Sequence, residues 1–143
     1  MARLKLEMPG RCLGTFPIPV RVTDINYGNH VGNDSMVSIL HEARMQLLRQ
    51  IHCTEMDVFG TSLTMSELQV IFLRESFYGD DLLVSLYAGD ISRVSFELFY
   101  SVSTREGNTG EVARAKTVMV CFNYTSRKME AVPGALQAFL SGD

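Results

Sequence analysis

The sequence lacks an apolar run long enough to cross a membrane. None of its 143 residues belong to a stretch that approaches the roughly 20 consecutive apolar residues of a transmembrane helix. The first residues, MARLKLEMPGRCLG, also lack the apolar core of a secretory signal peptide. We therefore expect a cytoplasmic protein that makes no use of a membrane.

Cysteine and basic clusters are also scarce. The three cysteines, Cys12, Cys53 and Cys121, are odd in number and lack C-x-x-C spacing, so neither a disulfide framework nor a zinc site is expected. His41 and His52 have no partner at metal-ligand spacing. The net charge of −3 offers no electrostatic case for nucleic acid. The overall composition, with 46% hydrophobic and 20% charged residues, is typical of one globular domain over residues 1–143.

The densest group of chemically useful side chains lies in Thr23–Met36, TDINYGNHVGNDSM. Its glycines and asparagines accept turn conformations, which predicts a structured loop. A strand-like run, TFPIPVRV at Thr15–Val22, precedes it, and Pro17 and Pro19 predict that this strand lies at a sheet edge. Any active site is expected in this loop.

A long helix is predicted from Asp34 to Ile51, because apolar residues recur there at three- and four-residue steps: Met36, Ile39, Leu40, Ala43, Leu47 and Ile51. Asn33 or Asp34 is expected to cap its first amides. Arg44 lies close to the apolar stripe and needs a partner, for which Asp24 is a candidate. Glu42 lies on the opposite side.

Four runs of period two follow the helix and predict consecutive antiparallel strands joined by hairpins. The first, Leu63–Glu75, shows a change of phase at Ser66–Leu68 that predicts a bulge, and it is expected to be buried on both faces. Turns are predicted at Gly79–Asp81, Gly89–Asp90 and Glu106–Gly110. A short helix is expected after Pro133. One long helix against an antiparallel sheet is an α+β arrangement.

In the order of these motifs the chain resembles the hotdog-fold thioesterases, in particular the hydroxybenzoyl-CoA and acyl-acyl-carrier-protein branch. The resemblance rests on PIPVRV, TDINYGNHVGN, HEAR in the helix and VIFLRESFYGDDLLVSL. It implies a curved antiparallel sheet wrapped around one central helix, and pairing of subunits as a homodimer or a dimer of dimers. It also implies an acyl-CoA or acyl-carrier-protein substrate, hydrolysed without a metal or prosthetic group.

The resemblance also assigns residues. His30 and Asn33 match the family pattern D-x-D-x-x-x-H-V-x-N, and Asp24 matches its first aspartate. The helix start, at Asn33 or a neighbour, would hold the thioester oxygen. Asn26, however, stands where many relatives carry the aspartate that acts as nucleophile or base, and an amide cannot accept a proton.

The base therefore stays open among several groups. His30 can serve near neutral pH, and Asp24, Asp34 or Glu42 of a second subunit are the alternatives. Arg93 occupies a place where relatives carry basic residues that meet CoA phosphates.

Two other functions remain open. The segment DINYGNH is similar to the Asp-x-Asn-Pro-x-x-His motif of hotdog enoyl-CoA hydratases or dehydratases, although Tyr27 replaces the proline. Because Asn26 removes the usual carboxylate, a non-enzymatic acyl-CoA-binding protein is the second alternative.

Overall fold

The computed structural model describes residues 5–105 and 110–143. Its strands and helices, together with a single 3-10 turn at Val22–Asp24, are β1 Cys12–Pro19, α1 Asn33–Gln50, β2 Ser62–Phe72, β3 Asp81–Ile91, β4 Ser95–Thr104, β5 Glu111–Asn123, β6 Lys128–Met129 and α2 Gly134–Ser141. No helix in these two ranges is both long and apolar enough to cross a bilayer. The turn predicted at Glu106–Gly110 lies, apart from Gly110, outside the described residues.

The strands form one antiparallel sheet in the order β1-β3-β4-β5-β2, with β6 beside β5. Alternate residues of β4 point into the core, where Phe96, Leu98, Tyr100 and Val102 are buried. The apolar face of α1 joins the same core. The predicted α+β arrangement of one long helix on an antiparallel sheet is confirmed, as is the placement of β1 at a sheet edge.

Helix α1 buries the predicted stripe, Met36, Ile39, Leu40, Ala43 and Leu47, while Ile51 is half-buried and caps the C-terminus. The predicted cap is wrong, because the N-cap is Gly32 and, among the described residues, no side-chain hydrogen bond caps the helix start. Asp34 lies instead in the first turn, where a carboxylate suits the positive end of the helix.

Arg44 is buried, but its predicted partner was wrong. Its Nε donates to Glu55 Oε2 over 3.1 Å, and its Nη1 donates to Tyr100 Oη over 3.1 Å. Tyr100 Oη in turn lies 2.7 Å from Thr117 Oγ1. Burial would lower the pKa of Arg44, but its contacts with Tyr100 and Glu55 outweigh that effect and raise the pKa. Asp24 pairs with a different arginine, as described below.

The predicted succession of four neighbouring strands is confirmed for β3, β4 and β5, which pair in order, but is wrong for β2. Strand β2 pairs with β5, not with β3. The connection from Leu73 to Asp80 leads from β2, at one end of the strand order, past β5 and β4 to β3. The predicted bulge is present between Met65 and Glu67. The predicted burial on both faces is not, because β2 is a terminal strand whose middle is exposed in the described chain.

The turn predicted at Gly89–Asp90 is strand. Strand β3 continues to Ile91, with an irregular register between Ala88 and Ile91. A methyl group on Gly89 would lie 2.6 Å from Phe99 Cε1, so glycine serves here for close approach to β4. The predicted C-terminal helix is confirmed as α2, which ends at Gly142 with a left-handed φ of 86°.

Candidate active site at the start of helix α1

The polar loop before α1 closes on itself through backbone hydrogen bonds. The Asn26 amide donates to the His30 carbonyl over 3.0 Å, and the Asn29 amide donates to the Asn26 carbonyl over 3.0 Å. Asn29 has a left-handed φ of 62°, a conformation that asparagine tolerates better than most residues. The predicted structured loop is therefore confirmed.

A further hydrogen bond fixes this loop to the rest of the fold. The Val31 amide donates to the Ser76 carbonyl over 2.8 Å, and Ser76 belongs to the connection between β2 and β3. Val31 itself is buried. The entry to α1 and the end of β2 therefore meet at one place.

Within the loop, the side chains of Asn26 and His30 both flank Gly28. Asn26 Oδ1 accepts a hydrogen bond from the Gly28 amide over 2.9 Å. A methyl group on Gly28 would lie 3.1 Å from His30 Nε2 and 3.3 Å from Asn26 Oδ1. The absence of a side chain at Gly28 thus leaves room for the imidazole.

The start of α1 leaves amides outside the helical hydrogen-bonding pattern. The first helical bond runs from the Met36 amide to the Gly32 carbonyl, 3.0 Å away, so the amides of Asn33, Asp34 and Ser35 precede it. Gly32 brings no side chain to cap them. Such amides and the positive end of the helix dipole favour a negatively charged oxygen.

A cavity of about 250 Å³ opens beside this helix start. Its lining includes the polar residues His30, Asn33 and Ser76 and the apolar residues Val31, Met36 and Phe72. Of the residues predicted from sequence, His30 and Asn33 therefore share one cavity. Asn26 and Asp34 both flank Gly32, since a methyl group there would lie 3.5 Å from Asn26 Cβ and 2.7 Å from Asp34 Oδ1.

Asp24 braces the loop. It is buried, its Oδ2 accepts a hydrogen bond from the Arg21 amide over 2.8 Å, and its Oδ1 lies 3.5 Å from Arg21 Nη2. Its backbone carbonyl accepts the Gly32 amide over 3.0 Å. These contacts hold both ends of the loop together.

Glu42 and Arg93 lie elsewhere in the single chain. Glu42 lines, with Asp24, Ser38 and Arg21, a separate groove of about 390 Å³ between the end of β1 and the outer face of α1. Arg93 follows β3 at the end of the sheet that is remote from the loop, where its carbonyl accepts the Val132 amide over 2.9 Å. The structure does not bring either residue to the cavity with His30.

Sequence reasoning missed Ser76 and Glu55. Ser76 lies within the motif VIFLRESFYGDDLLVSL, but no periodicity marks it as a neighbour of the loop. Glu55 follows α1 in an irregular segment, so only the need of a buried Arg44 for a carboxylate pointed towards such a residue. Across residues 5–105 and 110–143, no cluster of histidine, cysteine and acidic side chains could hold a metal ion.

Known proteins are similar to this chain in sequence. Two relatives are named 1,4-dihydroxy-2-naphthoyl-CoA hydrolase. The one from Nostoc punctiforme is 30% identical over 129 residues, covering 88% of this chain and 85% of the relative. The one from Microcystis aeruginosa is 32% identical over 108 residues, covering 73% and 76%.

Solved structures match the fold at lower identity. A 1,4-dihydroxy-2-naphthoyl-CoA thioesterase from Synechocystis superposes with a TM-score of 0.80 at 24% identity, covering 89% of this chain and 94% of the other. A Staphylococcus aureus protein solved in complex with CoA gives 0.78 at 17% identity, covering 96% and 87%. The predicted hotdog fold is confirmed. A family-wide sequence profile described as the thioesterase-like superfamily matches residues 20–140, and this chain belongs to that superfamily.

Proposed function

We propose that the protein hydrolyses the thioester of an acyl-CoA, with the thioester carbonyl in the cavity at the start of α1. The single observation that carries this proposal is that one cavity is lined by His30 and by Asn33, the first residue of a helix whose N-cap makes no side-chain hydrogen bond. Two relatives named as hydrolases of an aromatic acyl-CoA support the reaction and favour an aromatic acyl group.

His30 is the proposed general base. Its Nδ1 lies 3.0 Å from the Val31 carbonyl oxygen, which can only accept a hydrogen bond. In the neutral ring, Nδ1 therefore carries the proton and Nε2 presents its lone pair. That lone pair can take a proton from an attacking water.

The helix start stabilises the charge that this attack creates. As the water oxygen bonds to the carbonyl carbon, the carbonyl π electrons move onto oxygen, beside the amides of Asn33, Asp34 and Ser35. The carbonyl then re-forms, the carbon–sulfur bond breaks, and the thiolate takes the proton from His30. Water and thioester thus yield a carboxylic acid and a free thiol.

Asn26 is proposed to donate a hydrogen bond. Because its Oδ1 already accepts the Gly28 amide, the Nδ2 group of Asn26 is left to donate. It can orient a carbonyl or a water molecule but cannot serve as a base. Asp34 supports the first turn, and Asp24 holds the loop closed. In a single chain, Glu42 has no proposed part in proton transfer.

We further propose that two copies pair along β2. Strand β2 ends the described sheet, and this edge exposes the large apolar residues Met65, Leu68, Phe72 and Leu73. Antiparallel pairing would place the Phe72 end of one β2 beside the Ser62 end of the other. Since Arg93 lies at the Ser62 end of the sheet, Arg93 of a second copy could approach the phosphates of CoA bound by the first.

A panel of thioesters tests the proposal. Aromatic and aliphatic acyl groups, each carried by CoA and by acyl carrier protein, are assayed for release of free thiol. We expect release from aromatic CoA thioesters and its loss in His30→Ala. Absence of thiol release from every ester, with hydration of an enoyl-CoA, would support a hydratase. Tight acyl-CoA binding with neither reaction would support a binding protein.

A further inference from the structure

Ser76 occupies an unusual position beside the helix start. It is only 2% exposed, and it lines the same cavity as His30 and Asn33. Its backbone carbonyl holds the Val31 amide, two residues ahead of the first residue of α1. The backbone of Ser76 is therefore held close to the start of α1, in a residue that lines the cavity.

The hydroxyl of Ser76 makes no hydrogen bond with the protein. In the part of the chain that the structure describes, its Oγ is buried and has no hydrogen-bond partner. An unsatisfied buried hydroxyl lowers the stability of the folded state, so an apolar residue of similar size would be more favourable here for stability alone. The position thus points to a ligand that supplies the missing partner.

We propose that Ser76 Oγ donates a hydrogen bond to the carbonyl oxygen of the bound thioester, as a further donor beside the amides of the helix start. This inference rests on the proposed function. Serine has one rotatable bond before its hydroxyl, so the group can turn from its shielded position towards the cavity that Ser76 lines.

The chemistry of the neighbourhood favours donation over proton transfer. A serine hydroxyl donates one hydrogen bond, and His30 already provides a better base. The charge that appears on the carbonyl oxygen strengthens every hydrogen bond donated to it, because charge-assisted hydrogen bonds are stronger than neutral ones. Ser76 should therefore lower the barrier more than it tightens binding of the ground state.

The test combines hydrolysis with binding in the full-length protein. Ser76→Ala removes the donor, and Ser76→Cys fills nearly the same space with a much weaker donor. Ser126→Ala, at an exposed position in the turn after β5, is the matched control. Thiol release from benzoyl-CoA gives kcat and KM. Calorimetric titration compares phenacyl-CoA, a ketone that cannot be hydrolysed, with phenethyl-CoA, which lacks the carbonyl oxygen.

We expect kcat to fall roughly 10- to 100-fold in both Ser76 variants, with little change in KM. The thermal unfolding midpoint of Ser76→Ala should match or exceed that of the wild type. The wild type should prefer the ketone, and both variants should show a smaller preference, because the amides of the helix start still contact the carbonyl oxygen. Ser126→Ala should behave as the wild type.

An undiminished ketone preference in Ser76→Ala would overturn the assignment of Ser76. Unchanged kcat in Ser76→Cys would overturn it as well. If the wild type releases no thiol from benzoyl-CoA or the wider panel, the proposed function fails, but the two CoA thioethers still decide whether Ser76 binds a carbonyl oxygen.

Discussion

Arg44 donates a hydrogen bond of 3.1 Å to Tyr100 inside the core, and this contact links the central helix to the middle of the sheet. The same guanidinium pairs with Glu55 over 3.1 Å. The Tyr100 hydroxyl is in turn hydrogen-bonded to the Thr117 hydroxyl in β5. The packing of α1, and with it the position of its first amides, therefore depends partly on a buried polar network.

Replacing Arg44 with methionine should strongly destabilise the protein. Methionine fills similar space but removes the hydrogen bonds that Arg44 donates to Glu55 and Tyr100, and loss of a hydrogen bond to a charged group costs roughly 1.5–3 kcal/mol. Glu55 is partly exposed and keeps its contact with His41. Arg49→Met, on an exposed position of the same helix, is the control and should cost little. Urea unfolding measures both; equal midpoints for the two variants would contradict a structural role for the Arg44 network.

Gly28→Ala should lower activity without lowering stability. The added methyl group would lie 3.1 Å from His30 Nε2 and push the imidazole aside. Displacement of a reacting group by a fraction of an ångström can cost roughly 10-fold in rate. Gly134→Ala, where a methyl group meets no atom within 4 Å, is the matched control. Full activity of Gly28→Ala would show that the position of the His30 ring is not critical.

Asn26→Asp separates the two proposed roles of Asn26. The aspartate can still accept the Gly28 amide, so the loop should keep its shape, but the Nδ2 donor is lost. We expect kcat to fall roughly 10-fold, because a negative charge replaces a donor near the developing oxyanion. A rise in kcat would instead show that this site works with a carboxylate base.

The stability of the protein should fall at alkaline pH partly through Cys121. Burial, with a smaller contribution from Glu130, raises the pKa of this thiol from 9.0 to about 11. The thiol ionises first in the unfolded chain, so its stabilising effect is complete below pH 9 and is lost as the pH rises towards 11.

The loss attributable to Cys121 should be roughly 2 kcal/mol. Burial also raises the pKa of Tyr100, which acts in the same direction, so the comparison must isolate the cysteine. Urea unfolding of wild type and Cys121→Ala across this pH range does so. The wild type should lose more stability than the variant, and parallel curves would be evidence against the raised thiol pKa.

Local patterns predicted more than long-range pairing did. The stripe from Met36 to Leu47 follows from helical periodicity alone, and β4 follows from simple alternation. The pairing of β2 with β5 does not, because periodicity defines a strand but not its neighbours. The prediction that β2 is buried on both faces failed for a related reason. Apolar residues on a strand at the edge of a sheet give the same sequence pattern as apolar residues in a core.

The candidate site shows the same division. Asn26, His30 and Asn33 were predicted because they lie together in one polar loop. Ser76 was not found, since only the hydrogen bond from Val31 brings it beside that loop. Asp24 was predicted as a partner for Arg44, because Arg44 lies beside the apolar stripe of the helix and needs a carboxylate. Its contact with Arg21 was not predicted.

The most direct test of the proposed site is the kcat of His30→Gln for thiol release from benzoyl-CoA, compared with the wild type and with Lys128→Gln. Glutamine approximates the size of histidine but cannot act as a base. Lys128 is exposed on β6, at the end of the sheet away from the loop. We predict that kcat of His30→Gln falls roughly 100-fold or more while Lys128→Gln matches the wild type. Wild-type kcat in His30→Gln would contradict the assignment of His30 as the base.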